Sequence, residues 1–159
     1  MTTFGTYVHT IVEQGGHEAR RDGSATIEAH HLLLAVAAQR GTTAQQVLSS
    51  VGLDQRAIRE ALDRELDHSL SAVGVSRAAF DLPAPSSVPG RPARIGASAR
   101  LGLERGVAAA ARKKDLRSAH LLLGILEARA GTVPRALALA GIDQDDLVAR
   151  VRQALSDEG

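Results

Sequence analysis

Two stretches hold the side chains best suited to chemistry. AHHLLLAVAA at 29–38 and SAHLLLGILE at 118–127 each set an imidazole, His31 and His120, against an apolar run. A histidine so placed can ligate a metal, move a proton or meet a phosphate. Metal binding needs further ligands at suitable spacing, and His30 and His31, adjacent on a helix, should point to different sides. No metal site is expected. Cysteine is absent, which removes disulfides, thiolate ligands and a thiolate nucleophile together. Ser98, in GASAR, lacks the nucleophile-elbow pattern, and no Ser-His-acid set can be assembled. No Gly-rich stretch ends in Gly-Lys-Ser/Thr, so nothing cradles a nucleotide phosphate. The expectation is a protein without catalysis and without cofactor. The two histidines then share a structural job, each imidazole half buried at a helix start and bonded to a backbone group.

Composition narrows the partners. The formal net charge is +1 and charged residues make up 23% of the chain, so no electrostatic argument favours nucleic acid or an anionic membrane. Arg112-Lys113-Lys114 could touch nucleic acid, but cations at a helix end also complement the helix dipole. The opening MTTFGTYVHTIVEQGG has no basic start followed by an unbroken apolar stretch, and no segment reaches the ~18 apolar residues of a membrane span. A soluble, cytoplasmic protein is expected. The aromatic side chains are Phe4, Tyr7 and Phe80, while Ala and Leu abound. Such a core of small and aliphatic groups favours close-packed helices over sheets.

Helices are needed to hold these residues, and their signals recur. Val8, Ile11 and Val12 mark a first helix ending around Asp22-Gly23, and a second carries His31 to Val36. Thr43-Ala-Gln-Gln46 reads as a capping box for a third, which Gly52 ends, and Asp54 caps a fourth through Ile58, Leu62 and Leu66. Pro83, Pro85, Pro89 and Pro92 make 68–94 a linker; its apolar Val73, Val75, Phe80 and Leu82 lie on the globule or move freely. Leu101, Leu103 and Val107 then lie on a helix ending near Lys113-Lys114, and Ser118 caps the next, which carries His120 to Leu126. Thr132 precedes a short helix through Leu137, which Gly141 ends, and Asp143 caps the last, through Leu147 and Val151.

An offset of 89 residues lays His31 on His120, Leu32–Leu34 on Leu121–Leu123, and Gly52-Leu53-Asp54-Gln55 on Gly141-Ile142-Asp143-Gln144, without a gap. The match includes the glycine stop and the aspartate cap, so it is a true internal repeat. The chain is therefore read as all-α: two four-helix units, 1–67 and 95–159, packed across the linker as one pseudo-twofold domain spanning 1–159.

These phrases resemble a known family, the N-terminal Clp repeat domain of the Clp AAA+ unfoldases, especially the ClpC type. Its two repeats each carry a phrase like GTEHLLLGLL and a GI-D turn; here stand Glu28-Ala-His-His-Leu-Leu-Leu-Ala-Val36 and Arg117-Ser-Ala-His-Leu-Leu-Leu-Gly-Ile125. Phe4 sits where that family opens its first helix, and Glu18-Ala-Arg-Arg21 is similar to its EEARR segment. With no ATPase motif, the resemblance implies a free-standing copy of the domain that receives adaptors and substrates.

In the family, the glutamate of each GTEH phrase helps bind phosphoarginine. Those positions are His30 and Ala119 here, so neither carboxylate is present to hold the guanidinium. A second family surface, between the first helices of the repeats, takes adaptors and some cyclic peptide antibiotics. It maps to Phe4, Arg100 and Glu104, with Ile95 replacing a further phenylalanine. Either these form a binding hot spot, or Phe4 plugs the core while Arg100 and Glu104 pair on a solvated helix face. The resemblance implies a protein- and peptide-binding module: an adaptor, modulator or decoy for a ClpC-type unfoldase, with adaptor proteins, substrate proteins or cyclic peptide antibiotics as partners. The reading from another class is a small helical DNA-binding regulator, which near-neutral charge opposes.

Overall fold

The computed structural model describes residues 2–74 and 93–158. Eight helices are found among them: α1 (Thr3–Arg21), α2 (Ala29–Ala38), α3 (Thr43–Ser50), α4 (Gln55–Ala72), α5 (Ala97–Ala109), α6 (Ser118–Leu126), α7 (Thr132–Leu139) and α8 (Gln144–Glu158). A 3-10 turn (Lys113–Asp115) leads into α6, and β1 (Thr26–Ile27) pairs in parallel with β2 (Arg94–Ile95). The fold is all-α, two four-helix units in tandem. α1 packs on α2 and α5 on α6, while α4 meets α7, and α3 meets α6 and α8, across the repeats.

The core sits on α2 and α6. Leu32, Leu121 and Leu122 are fully enclosed, with Ile11, Leu48, Ile125 and Leu147 around them, as expected of helices apolar on every side. Glycine lets α5 and α6 approach backbone to backbone. A Cβ on Gly124 would lie 2.1 Å from the Gly102 carbonyl oxygen and 2.4 Å from the Gly106 nitrogen. The repeated Gly-x-Asp-Gln phrase has a common geometry: Gly52 and Gly141 take positive φ of 78° and 75°, which favours glycine. Asp54 then caps Ala57 and Asp143 caps Asp146. The glutamines reach back to carbonyls of the core helices and the loop after α6, Gln55 to Leu34 and Gln144 to Leu126 and Ala128.

Several boundaries differ from the sequence reading. The α3 cap is Thr42, not Thr43, because Thr42 keeps the extended backbone and accepts from the Gln45 N–H. Ser118 does not cap α6; it opens the helix, and its hydroxyl accepts from the Ala44 N–H of α3. α5 stops at Ala109, since Ala110 turns extended, so Lys113 and Lys114 lie in the 3-10 turn and not at a helix end. α4 continues to Ala72, into the stretch read as linker, and Val73 is 72% exposed. Val75, Phe80, Leu82 and the four linker prolines lie outside the described residues. On α5 the buried face is small, Ala99, Gly102 and Gly106, while Leu101 and Val107 point outward at 45% and 46% exposure.

Candidate functional site

The start of α2 explains its histidines. Nδ1 of His31 accepts from the Glu28 backbone N–H at 2.9 Å, and Nε2 lies 2.8 Å from Oδ2 of Asp22, at the C-cap of α1. With Nδ1 accepting, the ring proton sits on Nε2 and is donated to the carboxylate. His31 is 1% exposed, fully and not half buried, and ties the end of α1 to the start of α2. Burial opposes the Asp22 carboxylate, but the His31 hydrogen bond and the charges of His31, His30 and Arg21 together hold its pKa below the usual value.

His30 does not point away from His31. The two rings lie 4.1 Å apart, and Nε2 of His30 is 4.0 Å from the same Asp22 oxygen. Burial, then the His31 neighbour, lower the His30 pKa to about 4, against the pull of Asp22, Glu28 and Glu65. His30 is thus uncharged near neutrality. Asp22, His30 and His31 bring three ligand atoms within 4.8 Å of one another. A cation on Nε2 of His31 would drive the ring proton to Nδ1, where the Glu28 N–H already points. The geometry is that of a helix lock.

Glu28 joins this lock to the second repeat. Its carboxylate accepts from Thr26 at 2.5 Å and from Ser98 of α5 at 2.6 Å, and the Ser98 hydroxyl accepts in turn from the Ala29 N–H. Beside it opens a cleft of about 630 Å³, between the start of α2, α5, the end of α6 and the loop into α7. Leu101, Ile125 and Val133 give it apolar walls, and Arg105 and Arg129 bring charge. Sequence reasoning missed this cleft. The signal was there in the small residues at 99, 102 and 106, whose helical spacing turns Leu101 and Arg105 off the buried face.

The residues singled out in the sequence fall in three places. Phe4 is half buried on α1 against the core, its ring 6.4 Å from that of Tyr7. Arg100 and Glu104 are exposed on α5 and form no ion pair with each other or with another described residue. Ala119 is fully buried on α6, so its position presents no side chain to a ligand. None of Phe4, Arg100 and Glu104 lines the cleft, although Leu101 and Arg105, their neighbours on α5, do.

Comparison with known proteins places this arrangement. The model of the Clp repeat (R) N-terminal domain matches residues 3–83. The chain belongs to that family. No curated protein matches it. A solved structure described as "Preliminary structural investigations of a malarial protein secretion system" is similar, with a TM-score of 0.59 at 15% identity over 98% of this chain and 94% of that one. At that identity the likeness concerns the fold, and it extends over both repeats of this Clp repeat domain. A Clp repeat domain is a non-catalytic protein-interaction module of the Clp system. No helix among the described residues is long and apolar enough to cross a membrane.

Proposed function

We propose that this Clp repeat domain serves Clp proteolysis as an adaptor, modulator or decoy for a ClpC-type unfoldase. It holds segments of adaptor or substrate proteins, or cyclic peptide antibiotics, on the outer face of α5. One observation carries the reading: α5 exposes Leu101 and Val107 beside Arg100 and Glu104, two charges with no ion-pair partner among the described residues. Apolar contacts next to unpaired charges make a hot spot with a specifying rim. The family resemblance adds Phe4 of α1 to this surface, together with Ile95 of β2, which is 41% exposed. Phosphoarginine is not held in the family's manner, because His30 is uncharged near neutrality and Ala119 is buried.

The test is direct binding of the purified domain to a purified ClpC-type unfoldase and to its substrate proteins. Leu101→Ala and Glu104→Ala alter exposed side chains and leave the fold intact. Each should weaken binding by about 2 kcal/mol, roughly 30-fold. Wild-type protein that binds neither partner, or variants that bind as well as wild type, would refute the reading.

A further inference from the structure

The two repeats treat the far nitrogen of their shared histidine differently. In repeat one the Nε2–H of His31 reaches the Asp22 carboxylate. In repeat two Nδ1 of His120 accepts from the Arg117 backbone N–H at 3.1 Å, which again leaves the proton of the neutral ring on Nε2. That N–H has no hydrogen-bond partner among the described residues, although His120 is only 8% exposed. The His120 side chain borders a pocket of about 370 Å³, lined also by Arg112, Asp115, Arg117 and Leu155.

The two acids near this ring are engaged elsewhere. Asp115 accepts from Nε of Arg112 at 3.0 Å. Glu158 accepts from Nη1 of Arg117 at 3.1 Å and from the Thr43 hydroxyl. Each guanidinium has five N–H donors in a fixed fork, so one ion pair leaves the others able to bind an oxyanion. The charged side chains that line the pocket are two cations, Arg112 and Arg117, and one acid, Asp115. This N–H reaches solvent and has no protein acceptor among the described residues, and it stands beside two arginines.

We infer that this pocket binds a carboxylate carried by a peptide, at its C-terminus or on an Asp or Glu side chain. The ligand carboxylate takes at His120 the place that Asp22 takes at His31. Nε2–H and the free N–H groups of Arg112 and Arg117 surround it, and Leu155 receives the apolar part of the residue that bears it. The pocket shares no residue with the outer face of α5, so this inference does not rest on the function proposed above.

Ring 1H–15N spectra of His120 in the full chain test it. The probes are N-acetyl-trialanine with a free carboxylate, the same peptide amidated, the amide of N-acetyl-Ala-Glu-Ala, and inorganic phosphate. A free-carboxylate peptide should shift the Nε2 resonance saturably and raise the His120 pKa by about one unit or more. The amidated trialanine should do neither, and the first and third peptides separate a terminal from a side-chain carboxylate. Arg112→Gln and Arg117→Gln should each weaken binding about tenfold, and Arg117→Gln keeps the backbone N–H that His120 needs. These variants leave the core untouched, unlike a change at His120 itself. No response to either carboxylate peptide, an equal response to the amide, or a response to phosphate alone would overturn the inference.

Discussion

Repeat one closes on itself where repeat two stays open. At the start of α2, Asp22 answers His31, Glu28 answers Thr26 and Ser98, and the half-buried His30 ring lies against His31. At the start of α6, His120 keeps its backbone bond, but its outer nitrogen faces a pocket with two arginines. The helix packing differs in the opposite sense. α5 and α6 meet through Gly102, Gly106 and Gly124, backbone on backbone, whereas Gly15 of α1 faces the Leu32 and Ile27 side chains. Duplication thus left one scaffold with two kinds of surface: a half tied by polar locks, and a half drawn tight by glycine that keeps polar groups free.

The glycine contact is where that comparison breaks most sharply. Position 124 matches Ala35 of the first repeat, which is fully buried without trouble. Gly124→Ala, however, drives a methyl into the α5 backbone at contacts far shorter than atoms allow. The helices must part, and the cost should be about 4 kcal/mol by chemical denaturation. Ala35→Gly should cost about 1 kcal/mol, from lost helix propensity. Similar losses at both positions would mean that the repeats pack alike.

His30 gives repeat one an acid-sensitivity that Ala119 cannot give repeat two. The folded protein keeps His30 uncharged down to about pH 4, whereas the unfolded chain takes the proton near 6.5. In that window the unfolded state binds more protons, so stability present above pH 6.5 is lost as pH falls towards 4. The loss from His30 should be on the order of 3 kcal/mol at full titration. Denaturation at stepped pH should show a shallower acid slope in His30→Gln. Some slope will remain, because burial and Arg117 lower His120 in the same direction, against Glu158 and Asp115.

The scaffold was legible in the sequence because its signals are local. Glycine stops, aspartate caps and a repeated leucine phrase each act within a few residues, and the offset that aligned them fixed two units. What escaped depends on neighbours distant in the chain. Leu101 and Val107 mark a helix but not which way it faces, and Gly124 on α6 brings the glycine face of α5 inward and turns them to solvent. Ser118 looked like a cap, but the donor it meets belongs to Ala44. His30 and His31 looked divergent on an ideal helix, and Asp22 at the end of another helix gathers both rings. The cleft and the pocket beside His120 arise at such meetings of elements, which no single stretch announces.

The smallest effect bears on both ring nitrogens at once. Asp22→Ala removes the acceptor from His31 and leaves its N–H, like that of His120, without a protein acceptor. A buried unpaired donor costs about 1 to 3 kcal/mol. The Asp22 side chain is 52% exposed, so water can enter where it stood, and the loss should be near 1 kcal/mol at pH 7. Because the folded Asp22 pKa is lowered, that contribution is present above the ordinary carboxylate range and fades as pH falls through the folded value. Variant and wild type should therefore converge in strong acid, and His30, deprived of a carboxylate that raises its pKa, should titrate lower still. The same measurement calibrates repeat two. If Asp22 adds about 1 kcal/mol to His31, a ligand carboxylate at His120 gains about fivefold in affinity from that nitrogen, and the rest must come from Arg112 and Arg117. A null effect of Asp22→Ala would move the whole weight of carboxylate binding onto the two arginines.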